Sequence, residues 1–130
     1  MPSNKDKTTN PNALLVELRK TYPRAFSNPP RALQIKSIFQ ELDGRVDRAT
    51  LKKALEIWCS TDEYLAADAC DAMSVDLNGD EHFINAFKRG VAIGKVQERA
   101  RRALLAGNQR EYHRWLAVES AARKVRRGGR

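Results

Sequence analysis

Apolar residues recur at helical spacing along most of this chain. In the run from Ile35 to Leu42 they follow one another at i, i+3, i+4 and i+7, which places four apolar side chains on one helix face. Similar runs precede and follow it, and each such face needs a core to pack against. The pattern therefore predicts a mainly α-helical domain with one hydrophobic core.

Capping residues and helix breakers indicate where the first helices begin and end. Asn10 and Pro11 are typical of a helix start, and Pro23 ends that helix. The second helix ends at Asp43-Gly44, and Asp47 can cap a third helix. Ser60, followed by Glu63 at the third helical position, predicts a capping box that opens a short fourth helix.

The second half of the chain predicts two longer helices. The first runs from Glu81 to about Leu105, with one apolar stripe formed by Phe83, Phe87 and Val91. Two glycines in it, Gly90 and Gly94, indicate either a kink or a close helix crossing. Gly107 predicts the end of that helix, and a last helix runs from residues 108–111 through Val125.

The stretch SVDLNGDE, residues 74–81, has two possible interpretations. It carries oxygen ligands like half of a calcium loop, but a loop that begins at Asp76 would need Gly at position 81 and Glu at position 87. Glu81 and Phe87 occupy those positions. Asn78-Gly79 instead favours a two-residue hairpin turn, entered by a half-buried strand in which Met73, Val75 and Leu77 alternate with polar residues. We therefore predict a small β-hairpin without a metal, in which Asp76 accepts hydrogen bonds from the backbone.

Charge is distributed in three blocks along the 130 residues, whose formal net charge is +8. Residues 1–53 hold eleven basic residues against five acidic ones, and residues 88–130 hold thirteen against three. Residues 54–87 between them hold eight acidic residues and no Lys or Arg. Two basic blocks of this kind are typical of a protein that binds a polyanion.

The sequence gives little support to catalysis. His82 and His113 lie in no nucleophile, zinc or triad motif, and the chain has no P-loop or dinucleotide-binding glycine pattern. We expect no enzyme, no cofactor and no small-molecule substrate. No apolar run is long enough for a membrane span, and the first residues lack the apolar core of a signal peptide, so we expect a cytoplasmic protein without a membrane partner. Cys59 and Cys70 are expected to be reduced and partly buried.

Several strings, in a shared order, resemble the ProQ/FinO family of RNA chaperones. They are TYPRAF (21–26), PRALQIKSIFQEL (30–42), LKKAL (51–55) and EYLAADACDAMSVDLNG (63–79), and the resemblance covers roughly residues 13–80. It implies a mainly α domain with a small β-hairpin, which we place at residues 10–105. A disordered segment, 1–9, is expected before it and a basic C-terminal helix and tail, 106–130, after it.

The resemblance also implies a function and an interface. The expected partner is structured RNA with a single-stranded, uridine-rich 3′ end, such as a small regulatory RNA or an mRNA 3′ end, which a monomer would stabilise or anneal. By position, Tyr64 corresponds to a tyrosine on the RNA-contacting face and Arg31 to the arginine that enters the second helix. On the third helix, Arg48 and Lys52 match positions that face the RNA backbone, and we include Lys53 beside them.

Two departures indicate that the C-terminal helices contribute to binding. Ser74 and Glu56 stand where the family often has basic residues, which leaves three alternatives: the usual RNA face is weakened, it is shifted towards the first and third helices, or the C-terminal helices compensate. We expect that cations further along the chain compensate. The candidates are Arg99, Arg102, Arg110 and Arg114. The aromatic residues among them, Tyr112 and Trp115, are expected to pack on the domain with Leu116 and Val118.

Two other functions remain open at this point. One is a protein-interaction adaptor that docks a basic partner on the acidic segment 54–87. The other is a non-specific nucleic-acid binder that uses the basic tail alone.

Overall fold

The computed structural model describes residues 9–129, with side chains as far as Arg126. Within these residues, six helices and one two-stranded antiparallel sheet follow one another. They are α1 (Pro11–Thr21), α2 (Ile35–Glu41), α3 (Arg48–Cys59), α4 (Asp62–Cys70), β1 (Met73–Val75), β2 (Glu81–Phe83), α5 (Ala86–Leu105) and α6 (Gln109–Gly129). The prediction of a mainly α fold with a small hairpin is confirmed. The predicted disordered segment lies outside the described residues, apart from Thr9.

The first three helices begin and end close to the predicted residues. The Asn10 side chain accepts hydrogen bonds from the N–H groups of Asn12 and Ala13 at the start of α1. Asp47 accepts one from the N–H of Thr50 at the start of α3. Each bond satisfies a backbone donor that the first helical turn leaves without a partner. Local side chains therefore determine both boundaries.

A first core joins α1, α2, α3 and the start of the hairpin. Its fully buried members include Leu33, Ile38, Leu51 and Val75. The chain enters α2 as an extended segment whose successive N–H groups donate to three separate parts of the fold. Those of Ala32, Leu33 and Gln34 donate to Asp71 Oδ2 (2.8 Å), Tyr64 Oη (3.2 Å) and the Val75 carbonyl (2.8 Å).

The hairpin is longer than the predicted two-residue turn. Met73 pairs with Phe83 and Val75 with Glu81, which leaves a five-residue loop, 76–80. Asp76 Oδ1 accepts from the N–H groups of Asn78 and Asp80, both at 3.0 Å. The prediction that Asp76 binds backbone is confirmed, and the two-residue turn is wrong because these bonds stabilise a wider loop.

The predicted alternation along the incoming strand is also wrong. Ser74 is buried together with Val75, and its hydroxyl accepts a hydrogen bond from Gln34 Nε2 at 2.8 Å. Leu77 is buried too, but in the loop rather than in the strand. Because the segment before α2 covers β1 from the other edge, Ser74 finds a polar partner inside the fold and need not face water.

Two helix starts differ from the predictions. Thr61, not Ser60, caps α4, since its side chain accepts from the N–H of Tyr64 at 3.1 Å. The helix predicted from Glu81 begins only at Ala86, because Glu81–Phe83 forms β2 and Asn85 is the N-cap. Phe83 and Phe87 consequently lie outside any buried stripe, and both are exposed.

The two glycines of α5 mark neither a break in the helix nor a close helix crossing. The helix is continuous from Ala86 to Leu105, and a Cβ at Gly90 or Gly94 would meet no atom within 4 Å. Gly107, with φ of 73°, ends the helix as predicted.

A second core joins α4, α5 and α6 around Trp115, which is 2% exposed. Tyr112 and Val118 pack against it, whereas Leu116 is exposed and does not pack as predicted. The buried Arg89 of α5 donates to the carbonyls of Asp68, Ala69 and Asp71 at the end of α4. Positive charge at a helix C-terminus is stabilising, so Arg89 holds α5 against α4.

Candidate nucleic-acid interface

A cavity of about 450 Å³ lies where the end of α3, the start of α4 and the length of α5 meet. This volume is within the range of small-ligand sites. We call it the α4–α5 cavity, and its lining comprises Ile35, Cys59, Ser60, Tyr64, Leu65, Asp68, Lys88, Lys95, Glu98, Arg99 and Arg102. It brings together three of the residues predicted from the sequence, Tyr64, Arg99 and Arg102.

Four cations of α5 form one side of this cavity. Lys88, Lys95, Arg99 and Arg102 are separated by seven, four and three residues, a spacing that keeps side chains on one face of a helix. The opposite wall is formed by α4 and by the ends of α2 and α3. An anion that enters the cavity would therefore meet a row of positive charges along a single helix.

The two arginines of this row are already paired, but the two lysines are not. Arg99 Nε lies 3.2 Å from Asp62 Oδ1, and Arg102 Nε lies 3.1 Å from Glu98 Oε2. Among the described side chains, neither Lys88 nor Lys95 forms an ion pair. The lysines are the cations best able to accept a phosphate without giving up a partner.

A half-buried carboxyl group, that of Asp68, lies beside these lysines. Burial raises the pKa of Asp68, while the nearby charges of Lys88, Lys95 and Arg89 lower it in part. The side chain can accept a hydrogen bond from a hydroxyl or amide group of a ligand. The cavity thus offers both phosphate-binding cations and a hydrogen-bond acceptor.

Tyr64 occupies the cavity wall rather than an open surface. It is 5% exposed, and its hydroxyl accepts the N–H of Leu33. Burial raises its pKa well above the ordinary value for tyrosine. With so little of the ring accessible, Tyr64 can contact a ligand through its edge, whereas stacking of a base on its face would require movement. The predicted RNA contact stays a prediction.

Cys59 lines the same cavity. Burial raises the pKa of this thiol to about 11, helped by Asp68, while a hydrogen bond with Tyr64 and the charges of Lys95 and Lys88 oppose the shift. Both Cys59 and Cys70 are free and partly buried, as predicted. The reactivity of the Cys59 thiol can therefore be used to detect a ligand in the cavity.

The cations of α3 lie on two different sides of the helix. Counting about 100° per residue, Lys52 and Arg48 each lie within about 20° of Cys59 around the helix, and Lys53 lies about 120° away. Arg48 also stacks over the ring of Phe39, 4.7 Å from its centroid. Since Cys59 lines the cavity, Lys52 and Arg48 continue the cavity side of α3, and Lys53 does not.

The remaining predicted cations, Arg31, Arg110 and Arg114, do not line the cavity. Arg31 Nη2 pairs with Glu81 Oε2 at 3.1 Å. Arg114 pairs with Glu111 and approaches Asp62 to 3.9 Å, so it shares Asp62 with Arg99. Arg110 is exposed and forms no ion pair with a described side chain. Asp62 thus connects the cation row of α5 to the arginines of α6.

Four of the eight carboxylates of the acidic segment already have partners within the fold. Asp62 pairs with Arg99, Asp71 accepts the N–H of Ala32, Asp76 holds the hairpin loop and Glu81 pairs with Arg31. Asp68 is half-buried in the cavity wall. The segment therefore presents less negative surface than its composition suggests.

The sequence-based prediction missed Lys88 and Lys95. Their spacing to Arg99 and Arg102 contains the signal, but the predicted helix started too early and its apolar stripe was assigned to Phe83, Phe87 and Val91. With the helix start moved to Ala86, the cation row follows from the sequence alone.

No helix in the described part of the chain is both long and apolar enough to cross a membrane. No group of three or more potential metal ligands occurs among residues 9–129.

Comparison with known proteins gives one match. No curated protein and no solved structure matches the chain. The model of the ProQ/FINO family matches residues 8–104, which extend from the start of α1 almost to the end of α5 and include all residues that line the α4–α5 cavity. Since this match spans well over half of its length, the chain belongs to the ProQ/FinO family, whose members are generally RNA-binding chaperones.

Proposed function

We propose that this protein binds structured RNA with a single-stranded 3′ end at the α4–α5 cavity, and that it protects or anneals such RNA without covalent chemistry. The observation that carries the proposal is the row of four cations along one wall of the cavity, two of which lack an ion-pair partner among the described side chains. Its partners would be small regulatory RNAs and mRNA 3′ ends.

Phosphate contacts supply most of the affinity in this proposal. Lys88 and Lys95 bind phosphates within the cavity, and Lys52 and Arg48 extend the contact along α3. Each neutralised phosphate releases counterions, so the logarithm of the binding constant falls with the logarithm of salt concentration, by about 0.7 per phosphate for a single strand.

The shape of the cavity supplies selectivity for an unpaired end. A volume of about 450 Å³ suits one small ligand-sized group, and a base held in a stacked duplex is not free to enter a cavity by itself. A single-stranded end can place a nucleotide inside, where Asp68 and the edge of Tyr64 offer hydrogen-bonding groups. The preference for uridine is the part of the proposal that comes from family resemblance alone.

A binding titration at physiological salt tests the proposal. It compares an RNA hairpin that carries a 3′ uridine tail with the same hairpin without the tail and with duplex DNA. We expect the tailed hairpin to bind with clearly higher affinity than the hairpin without the tail and the duplex DNA. Equal binding to all three, abolished by salt, would instead indicate a generic polyanion contact.

Lys52→Glu and Lys53→Glu form a matched pair for the same titration. Both change the charge by the same amount on exposed neighbours of one helix, but only Lys52 lies on the cavity side. We expect Lys52→Glu to weaken binding of the tailed hairpin by about tenfold or more, as for loss of a charge-assisted hydrogen bond. Lys53→Glu should change it by less than about threefold, through long-range charge alone. Equal losses of RNA affinity in both variants would mean that the cavity side of α3 has no special part in binding.

A chaperone role needs a separate readout. Annealing of two complementary RNAs, followed by gel shift, should accelerate with the wild-type chain and not with Lys52→Glu. Binding without acceleration would leave a protective role and exclude annealing.

A further inference from the structure

Three apolar side chains around the start of α5 are exposed to solvent. Phe83 is 84% exposed, Phe87 80% and Val91 43%. We call them the aromatic patch. Phe83 ends β2, and Phe87 lies in the first turn of α5, where the Asn85 cap fixes the chain direction. Large aromatic side chains are usually buried, so exposure of two together indicates a contact surface.

The patch adjoins the cation row of the cavity. Phe87 immediately precedes Lys88, and Val91 lies one helical turn before Lys95. Both lysines line the cavity and form no ion pair among the described side chains. A strand whose phosphates bind Lys88 would therefore pass next to Phe87, and Phe83 lies four residues before Phe87 in the chain.

Area and charge argue for a nucleic acid over a second copy of this chain. Two phenylalanine rings offer about 300–500 Å², whereas a stable protein interface buries about 800 Å² on each partner. A two-fold contact would also bring the Lys88 and Lys95 of both copies towards one another, in a chain with net charge +8. The same charge favours a polyanion.

We propose that the aromatic patch stacks unpaired bases of the RNA whose phosphates bind Lys88 and Lys95. Aromatic rings beside cations are the arrangement by which proteins hold single strands, because bases stack on the rings while the backbone follows the charges. The inference rests on the proposed function, and it adds a second site for the unpaired segment, outside the cavity.

The test compares two double variants of the full chain, Phe83→Ala/Phe87→Ala and Phe83→Leu/Phe87→Leu. The leucine pair keeps apolar surface but has no aromatic face. The probes are the hairpin with a 3′ uridine tail and the same hairpin with an abasic tail, which retains every phosphate. Since both rings are exposed, melting followed by circular dichroism should be unchanged.

We expect the alanine pair to bind the uridine-tailed hairpin about tenfold or more weakly, as for loss of one or two stacked bases. The leucine pair should lose nearly as much. On the abasic tail, wild type and both variants should bind alike, because the bases that contact the rings are absent.

Three results of the binding measurements would overturn the inference. They are wild-type binding by the alanine pair, full rescue by leucine, and equal loss on uridine and abasic tails. A dimer of the wild-type chain that the alanine pair dissociates would do the same, since the patch would then be a protein interface. Wild type that binds neither hairpin would refute the proposed function, a result distinguishable from all of these.

Discussion

The lysines of the α4–α5 cavity and the arginines of α5 and α6 carry the same formal charge but stand in different surroundings. Arg99 and Arg114 share Asp62, while Arg101 and Arg102 share Glu98. Lys88 and Lys95 line the cavity and form no ion pair among the described side chains. Both groups look alike in a sequence, where each is simply a set of basic residues. Pairing within the fold, rather than the number of basic residues, therefore determines which cations are available to RNA.

The arginine-rich helix α6 also has a structural role, which is distinct from any role in RNA binding. Its Trp115 is buried between α5 and α4, and both Arg99 and Arg114 lie over the indole ring, 5.9 and 5.1 Å from its centroid. Truncation of the chain after Leu105 would remove this residue from the second core. Loss of RNA binding after truncation would therefore not identify α6 as an interface.

The largest expected effect is on stability. Trp115→Ala should lower the free energy of unfolding by about 3–5 kcal/mol, the usual cost of deleting a buried large aromatic side chain. Chemical denaturation of the full chain measures it. Leu116→Ala, at the exposed neighbouring position, is the control and should cost less than about 1 kcal/mol. Similar losses for both would mean that α6 does not pack as described.

A neutralising pair on α5 tests the cavity lysines against the paired arginines. Lys95→Gln should weaken binding of a 3′-tailed RNA hairpin about tenfold and reduce the salt dependence by about one phosphate. Arg101→Gln removes the same charge from the solvent side of the same helix, where Arg101 pairs with Glu98, and should have an effect of less than about threefold. The salt series of binding constants distinguishes them. If Arg101→Gln has the larger effect, the bound strand follows the outer face of α5.

Removing a carboxylate that pairs with the arginines should have the opposite effect on RNA affinity, which we expect to rise. Asp62→Asn removes the carboxylate shared by Arg99 and Arg114, so Arg99 loses its ion pair while Arg114 keeps only Glu111, and RNA binding should strengthen by about two- to fivefold. Glu119→Gln, which frees Arg123 further along α6, is the control and should leave affinity nearly unchanged. Weaker binding by Asp62→Asn would mean that this acid positions Arg99 for the ligand.

The smallest perturbation is a chemical label on Cys59. Because its pKa is raised to about 11, the reactive thiolate is scarce at neutral pH, and alkylation should accelerate as pH rises towards that value. The tailed hairpin should slow labelling of Cys59, which lines the cavity. Labelling of Cys70, which donates to the Val118 carbonyl on the α6 side, should not change. Mass spectrometry of both sites reports the outcome, and equal protection would indicate a global effect of RNA.

Sequence reasoning succeeded where the determining contacts are local. The caps Asn10 and Asp47 bind N–H groups two or three residues away, and the glycine at position 107 ends α5 through its own backbone angle. It was wrong at β2 because three residues, Glu81–Phe83, carry too little pattern to separate a strand from the start of a helix. Only their pairing with Met73–Val75 makes them a strand.

The amino-acid sequence was sufficient to predict a mainly helical ProQ/FinO domain, the caps of α1 and α3, and the basic and acidic blocks. These follow from apolar spacing and from contacts within a few residues, which any chain with this order must make. Other contacts depend on the tertiary structure. The N–H of Leu33 donates to the hydroxyl of the buried Tyr64, the side chain of Gln34 donates to the hydroxyl of Ser74, and Asp62 forms ion pairs with Arg99 and Arg114. Those contacts join elements more than thirty residues apart, because burial and charge pairing depend on which helices meet in space.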